Sequence, residues 1–121
     1  MTVRIADAVL VVADQDVMIR FFVDRLGWTL DTDAEMWPGA RWVRVGAPGA
    51  STGLVLSAAK DFQRDPDSRY PMIFGADDLD AEAAGLRAAG LPVTDPVTEG
   101  WGTHIRVADP EGRPLMIARR T

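Results

Sequence analysis

Four tryptophans, Trp28, Trp37, Trp42 and Trp101, stand in a chain of 121 residues beside one histidine, one tyrosine and no cysteine. That inventory decides which chemistry is open. Without thiols there is no disulfide, thiolate nucleophile, iron–sulfur cluster or cysteine zinc site. With His104 as the only imidazole, a multi-histidine metal centre is excluded as well. What remains is recognition by flat rings, which stack on an aromatic ligand or a cation, and proton transfer by carboxylates or one imidazole. Trp37 lies two residues before Gly39 and Trp101 one before Gly102, in turns that correspond, so these two are the stronger stacking candidates. Trp28 and Trp42 serve equally well as buried plugs. Tyr70 and Phe62 flank a connecting segment and add ring surface, Phe62 also suiting a loop anchor. His104 alternates with Thr103 and Ile105, and a lone histidine is more often hydrogen-bonded or solvated than catalytic. Asp31, Asp33 and Glu35 suit a cationic ligand or a solvated hairpin, and Arg44 and Arg106 suit a ligand carboxylate or a snorkelling strand position.

The elements that must position these side chains repeat. Gly27 with Gly90, Gly39 with Gly102, Gly49 with Gly112 and Asp14 with Asp77 are each 63 residues apart, and Leu10 with Ile73, Ala13 with Ala76 and Leu30 with Val93 follow the same shift. Each copy opens on a short β-rich run, 8–12 and 72–76. An aspartate then caps a helix, Asp14 or Asp16 in the first copy and Asp77 or Asp78 in the second. Met18, Phe22 and Leu26 form one helical stripe and Leu79, Ala83 and Leu86 the other, and both helices stop at glycine, Gly27 and Gly90. Three shorter strands follow in each copy, 28–33, 40–46 and 53–57, then 92–98, 103–108 and 113–119. Trp37-Pro38-Gly39 and Ala47-Pro48-Gly49 separate the first set, and Glu99-Gly100-Trp101-Gly102 and Asp109-Pro110-Glu111-Gly112 the second. The pattern predicts one α+β domain over 1–121, built of tandem βαβββ modules 1–57 and 70–121 joined by a connection over 58–69.

Composition narrows the partners. Thirteen basic residues against eighteen acidic give a net charge of −5, which repels phosphate backbones and argues against nucleic acid. A neutral or cationic partner suits that balance better. No stretch approaches the ~20 apolar residues of a membrane span, and 8–13 is too short for a secretory core, so a soluble, cytoplasmic protein is expected.

Three strings, FFVDRLGW at 21–28, FGADDLDA at 74–81 and WGTHIRVADPEGRP at 101–114, together with the repeat, resemble the vicinal oxygen chelate superfamily. That superfamily includes glyoxalase I, extradiol dioxygenases, fosfomycin resistance enzymes and bleomycin resistance proteins. The resemblance covers essentially the whole chain and implies curved mixed sheets lining a cup. It also implies a four-ligand metal site on the first and last strands of each module, near Asp7, Val55, Pro71 and Met116. Only Asp7 is a donor, and the neighbours Leu54, Leu56, Tyr70, Met72, Leu115 and Ile117 bring no carboxylate or imidazole. Met116 stands where the family has a glutamate and turns a polar pit into an apolar floor.

The expectation is therefore no metal and no other cofactor, as in the bleomycin-resistance-like branch, which binds and sequesters a compound. The resemblance implies a homodimer, and the ligand expected is a bulky, planar, neutral or cationic drug-like compound, with Trp37, Trp42, Trp101, His104, Met116, Tyr70 and Phe62 as ligand-binding candidates. The alternative is a metal-independent isomerase or cyclase using Asp7 or His104 as acid–base. A metal-dependent lyase or dioxygenase comes third.

Overall fold

The computed structural model describes residues 2–120. Among them the order is β1 (Asp7–Val12), α1 (Gln15–Arg20), β2 (Thr29–Trp37), β3 (Ala40–Gly46), β4 (Gly53–Ala58), β5 (Phe74–Ala76), α2 (Leu79–Ala88), β6 (Val97–Glu99), β7 (Gly102–Ala108) and β8 (Pro114–Arg119). It is an α+β chain with two four-stranded mixed sheets, ordered β1-β4-β3-β2 and β5-β8-β7-β6. The two orders are the same order, one module apart. Contacts divide the chain into a unit ending at Asp67 and a unit beginning at Ser68.

The glycines explain why the pattern repeats. Gly27, Gly39 and Gly49 and their counterparts Gly90, Gly102 and Gly112 all have positive φ, which side chains rarely tolerate, so each turn recurs because its backbone demands glycine. The helix caps are Asp14, whose side chain accepts from the Val17 amide at 3.1 Å, and Asp78, which accepts from the Ala81 amide at 3.0 Å. The second cap is Asp78 rather than Asp77, so the caps are not held at the glycine offset.

In the first unit α1 does not run as one helix to Gly27. It gives way to a π-helical turn, Phe21–Arg25, which brings the adjacent Phe21 and Phe22 both into the core. Leu26, placed on the buried stripe by four-residue spacing, is only half-buried as a result. Trp28 closes over Phe22 with ring centroids 4.9 Å apart, the plug reading of that residue. Strand β2 extends past 33 to Trp37, because Asp33 and Glu35 pair in register with Val43 and Arg41 instead of ending in a loop. The connection also holds structure, a 3-10 turn Ala59–Phe62, and the Asp67 carboxylate caps the edge strand by accepting from the Val11 amide at 2.9 Å.

In the second unit Leu79, Ala83 and Leu86 of α2 are buried, as are Ile105, Val107, Leu115 and Ile117 of β7 and β8. Strand alternation then turns His104, Arg106 and Met116 to the opposite face of that sheet. The first and second strands of this unit are shorter than the β-rich runs suggest. Phe74–Ala76 alone pairs with β8, and over 92–98 only Val97 onwards is strand, with an isolated bridge from Val93 to Val107. No helix among the described residues is long and apolar enough to cross a membrane.

Candidate functional site

The face opposite α2 carries a cleft of about 440 Å³ within the second unit. Its apolar surface comes from Met72, Ile73, Pro114 and Met116, with the Tyr70 ring beside them. Two guanidinium groups, Arg69 and Arg106, complete the lining, and none of the lining residues is acidic. Arg106 and Met116 are register partners on β7 and β8, which puts the cation directly beside the apolar floor.

Tyr70 is fixed by a buried ionic network. Its hydroxyl donates to Asp109 Oδ2 at 2.7 Å, and the same oxygen accepts from Arg113 Nη1 at 2.7 Å. Asp109 Oδ1 accepts from the Glu111 and Arg113 amides at 2.8 and 3.0 Å, and Arg113 Nη2 reaches Glu111 Oε1 at 2.9 Å. Burial and then the Asp109 hydrogen bond raise the Tyr70 pKa well above the phenol range, so the hydroxyl is a committed donor. Burial opposes the charge on Arg113, but the bonds to Glu111 and Asp109 outweigh it and raise its pKa. The Arg113 guanidinium lies 5.6 Å from the Tyr70 ring centroid and the Phe74 ring stands edge-on at 5.4 Å. Tyr70 therefore offers the cleft a rigid ring and no free hydroxyl.

The other candidates divide between the units. In the first, Trp37 meets Phe62 edge-to-face at 5.7 Å, both about half exposed, and Trp42 is 40% exposed on β3. In the second, Trp101 stacks on His104 with centroids 5.2 Å apart and planes 7° from parallel. His104 is buried, and neither ring nitrogen has a hydrogen-bond partner; Glu99 Oε2 lies 3.3 Å from Nε2 without hydrogen-bond geometry. Tyr70, Met116 and Arg106 are thus the sequence candidates that the cleft unites, and Trp101 with His104 forms a separate pair. Residues not foreseen are Arg69, Met72, Ile73 and Pro114 in the lining and Asp109 and Arg113 behind Tyr70. Asp109 and Arg113 hide in a turn that the sequence marks only as punctuation.

The residues do not fit the four-ligand metal site. Asp7, the one donor among the four positions, is bound at 2.6 Å by Arg44 Nε, and Arg44 Nη1 lies 2.6 Å from Asp31 Oδ2. The bond to Asp7, ahead of the attraction of Asp31, raises the Arg44 pKa. Among the described residues no three His, Cys, Asp or Glu side chains gather as metal ligands would. Asp33 is likewise engaged: the Arg41 guanidinium donates to it and lowers its pKa. Asp31 and Asp33 of β2 are therefore used for cross-strand ion pairs to β3.

The duplicated βαβββ modules and their two four-stranded mixed sheets define the fold class. The chain belongs to the Glyoxalase/Bleomycin resistance protein/Dioxygenase superfamily, whose family model matches residues 4–117. It is similar to TnmS3, an antibiotic binding protein from Streptomyces sp. CB03234, at 28% identity and TM-score 0.84, covering 99% of this chain and 98% of that one. A glyoxalase/bleomycin resistance protein from the same Streptomyces is 31% identical with TM-score 0.76, over 93% of this chain and 96% of that one. A superfamily member from Sphaerobacter thermophilus DSM 20745 has the same fold, with TM-score 0.88 at 24% identity and 98% of each chain covered.

Proposed function

We propose that this protein binds a bulky, planar, antibiotic-like organic molecule and sequesters it without a metal and without transforming it. One observation carries the reading: the floor of the cleft is Met116, and the lone donor among the family's ligand positions, Asp7, is held by Arg44. An apolar pocket with a few directed polar groups and a fixed ring holds such a compound tightly without catalysis. The similarity to an antibiotic-binding protein supports the same reading. The reading includes a homodimer in the cytoplasm, its stoichiometry open to sedimentation velocity.

The test is a tryptophan fluorescence titration in chelator-containing buffer against planar aromatic and glycopeptide-type antibiotics, followed by mass spectrometry of the recovered compound. Saturable quenching with the compound recovered unchanged is expected. A response that returns only on adding a divalent ion, or a compound recovered as product, overturns it. A second reading, a metal-independent isomerase or cyclase, is favoured by the buried and unbonded His104 imidazole. It requires that His104→Gln abolish turnover while binding persists. The same role for Asp7 conflicts with its ion pair to Arg44.

A further inference from the structure

The two modules place an arginine at the same point. Arg44 is the register partner of Val55 in the first sheet and Arg106 that of Met116 in the second, and Val55 and Met116 are equivalent positions on the last strand of each module. In the first module the guanidinium is saturated by carboxylates, Nε on Asp7 and Nη1 on Asp31, each at 2.6 Å. In the second module the carboxylates are missing. Pro71 stands in the place of Asp7, and Thr94, 63 residues after Asp31, uses its hydroxyl to accept from the Arg106 amide at 2.9 Å. The nearest acid in sequence, Asp95, is bound by Arg87 at 2.9 Å. Among the described residues neither Arg106 nor Arg69 has an ion-pair partner, whereas Arg41, Arg44, Arg87 and Arg113 all do.

We infer that the cleft of the second unit recognises a carboxylate on an apolar planar body, the carboxylate taking at Arg106 the place that Asp7 takes at Arg44. A guanidinium presents parallel N–H donors that match a carboxylate and bind it with charge-assisted bonds about twice as strong as neutral ones. Arg69 supplies a second positive charge on the same lining, and Ile73, Met72 and Met116 supply the apolar bed. The net charge of −5 favours cations for the chain as a whole, but this lining is locally cationic, and the local field governs a bound ligand.

The inference rests on the proposed binding of planar compounds, and the test separates the two. Calorimetric titrations use 9-anthracenecarboxylate, 9-anthracenemethanol and 9-(aminomethyl)anthracene, which share one ring system and differ in charge. The carboxylate is expected to bind roughly tenfold more tightly than the alcohol, the ammonium most weakly, since a charge-assisted pair at a partly exposed site is worth about one decade. Raising salt from about 0.05 to 0.5 M weakens the carboxylate and leaves the alcohol unchanged, as screening requires. Arg106→Met lowers the ratio of carboxylate to alcohol affinity to within about threefold, and Arg69→Met lowers it less, as expected for one charge of two. Equal binding of carboxylate and alcohol overturns the inference and leaves the proposed function standing, as does a preference that survives the Arg69→Met/Arg106→Met double variant. Failure of all three to bind overturns both.

Discussion

Replacing Asp109 with alanine probes the network that holds the cleft wall. The Asp109 side chain is fully buried and that of Arg113 is 3% exposed, and the carboxylate accepts four hydrogen bonds. Its removal strands the Arg113 charge, the Tyr70 hydroxyl and two backbone amides. Breaking a buried pair by deleting one partner costs about 3–5 kcal/mol, because the remaining charge is left without compensation. Arg113 keeps Glu111 Oε1 at 2.9 Å, so the lower end applies, and a loss of about 3 kcal/mol is expected. With a urea slope near 2 kcal/mol per M, the denaturation midpoint falls by roughly 1.5 M. Asp109→Asn retains one acceptor oxygen and falls between alanine and the parent. The double variant Asp109→Leu/Arg113→Met removes both charges and costs less than the sum of the single changes, the signature of direct coupling. A loss below about 1 kcal/mol in Asp109→Ala, or strict additivity in the double variant, would refute the claim that this pair holds the turn together.

Tyr70 is the only tyrosine, so tyrosinate absorbance reports it alone. Its raised folded-state pKa means that the unfolded chain loses this proton first, above about pH 10. Stability therefore falls as pH rises from there towards the folded value, and Tyr70→Phe removes that alkaline slope; a native protein whose tyrosine ionises at the ordinary pH contradicts the network. His104→Phe keeps a ring beneath Trp101 and deletes two buried, unbonded nitrogens, so thermal unfolding should show a gain of about 1 kcal/mol; a loss of that size means His104 has a partner that matters. Asp78→Ala should lower stability by about 1 kcal/mol through the lost helix cap, with Asp77→Ala within about 0.5 kcal/mol of the parent, as measured by urea denaturation.

The fold was legible where backbone conformation dictates residue type. Six glycines with positive φ, spaced as three pairs, mark the turns of both modules, and the burial of Leu79, Ala83 and Leu86 follows from their spacing. The π turn was not legible, since nothing in FFVDRLGW distinguishes one buried phenylalanine from two consecutive ones. The full length of β2 was hidden by its charges, which read as solvated until the opposing arginines of β3 are in register. In the site, Met116 could be placed by resemblance and Tyr70 as a ring flanking the connection. Asp109 and Arg113 could not, because D-P-E-G-R spells a turn whether its acid and base are solvated or buried against each other. Arg106 was visible as a residue but not as an uncompensated charge, since that depends on Pro71 and Thr94 at positions distant in the chain.

The duplicated register also separates what the chain must keep from what it is free to vary. In one copy the arginine and its two aspartates tie three strands of a sheet together. In the other copy a proline and a threonine stand where the two aspartates would be, and the same arginine has no ion-pair partner among the described residues. On the proposed reading, changes at Pro71 or Met116 retune selectivity while the sister module keeps its ion pairs. Duplication has given this small chain a spare position on which to specialise.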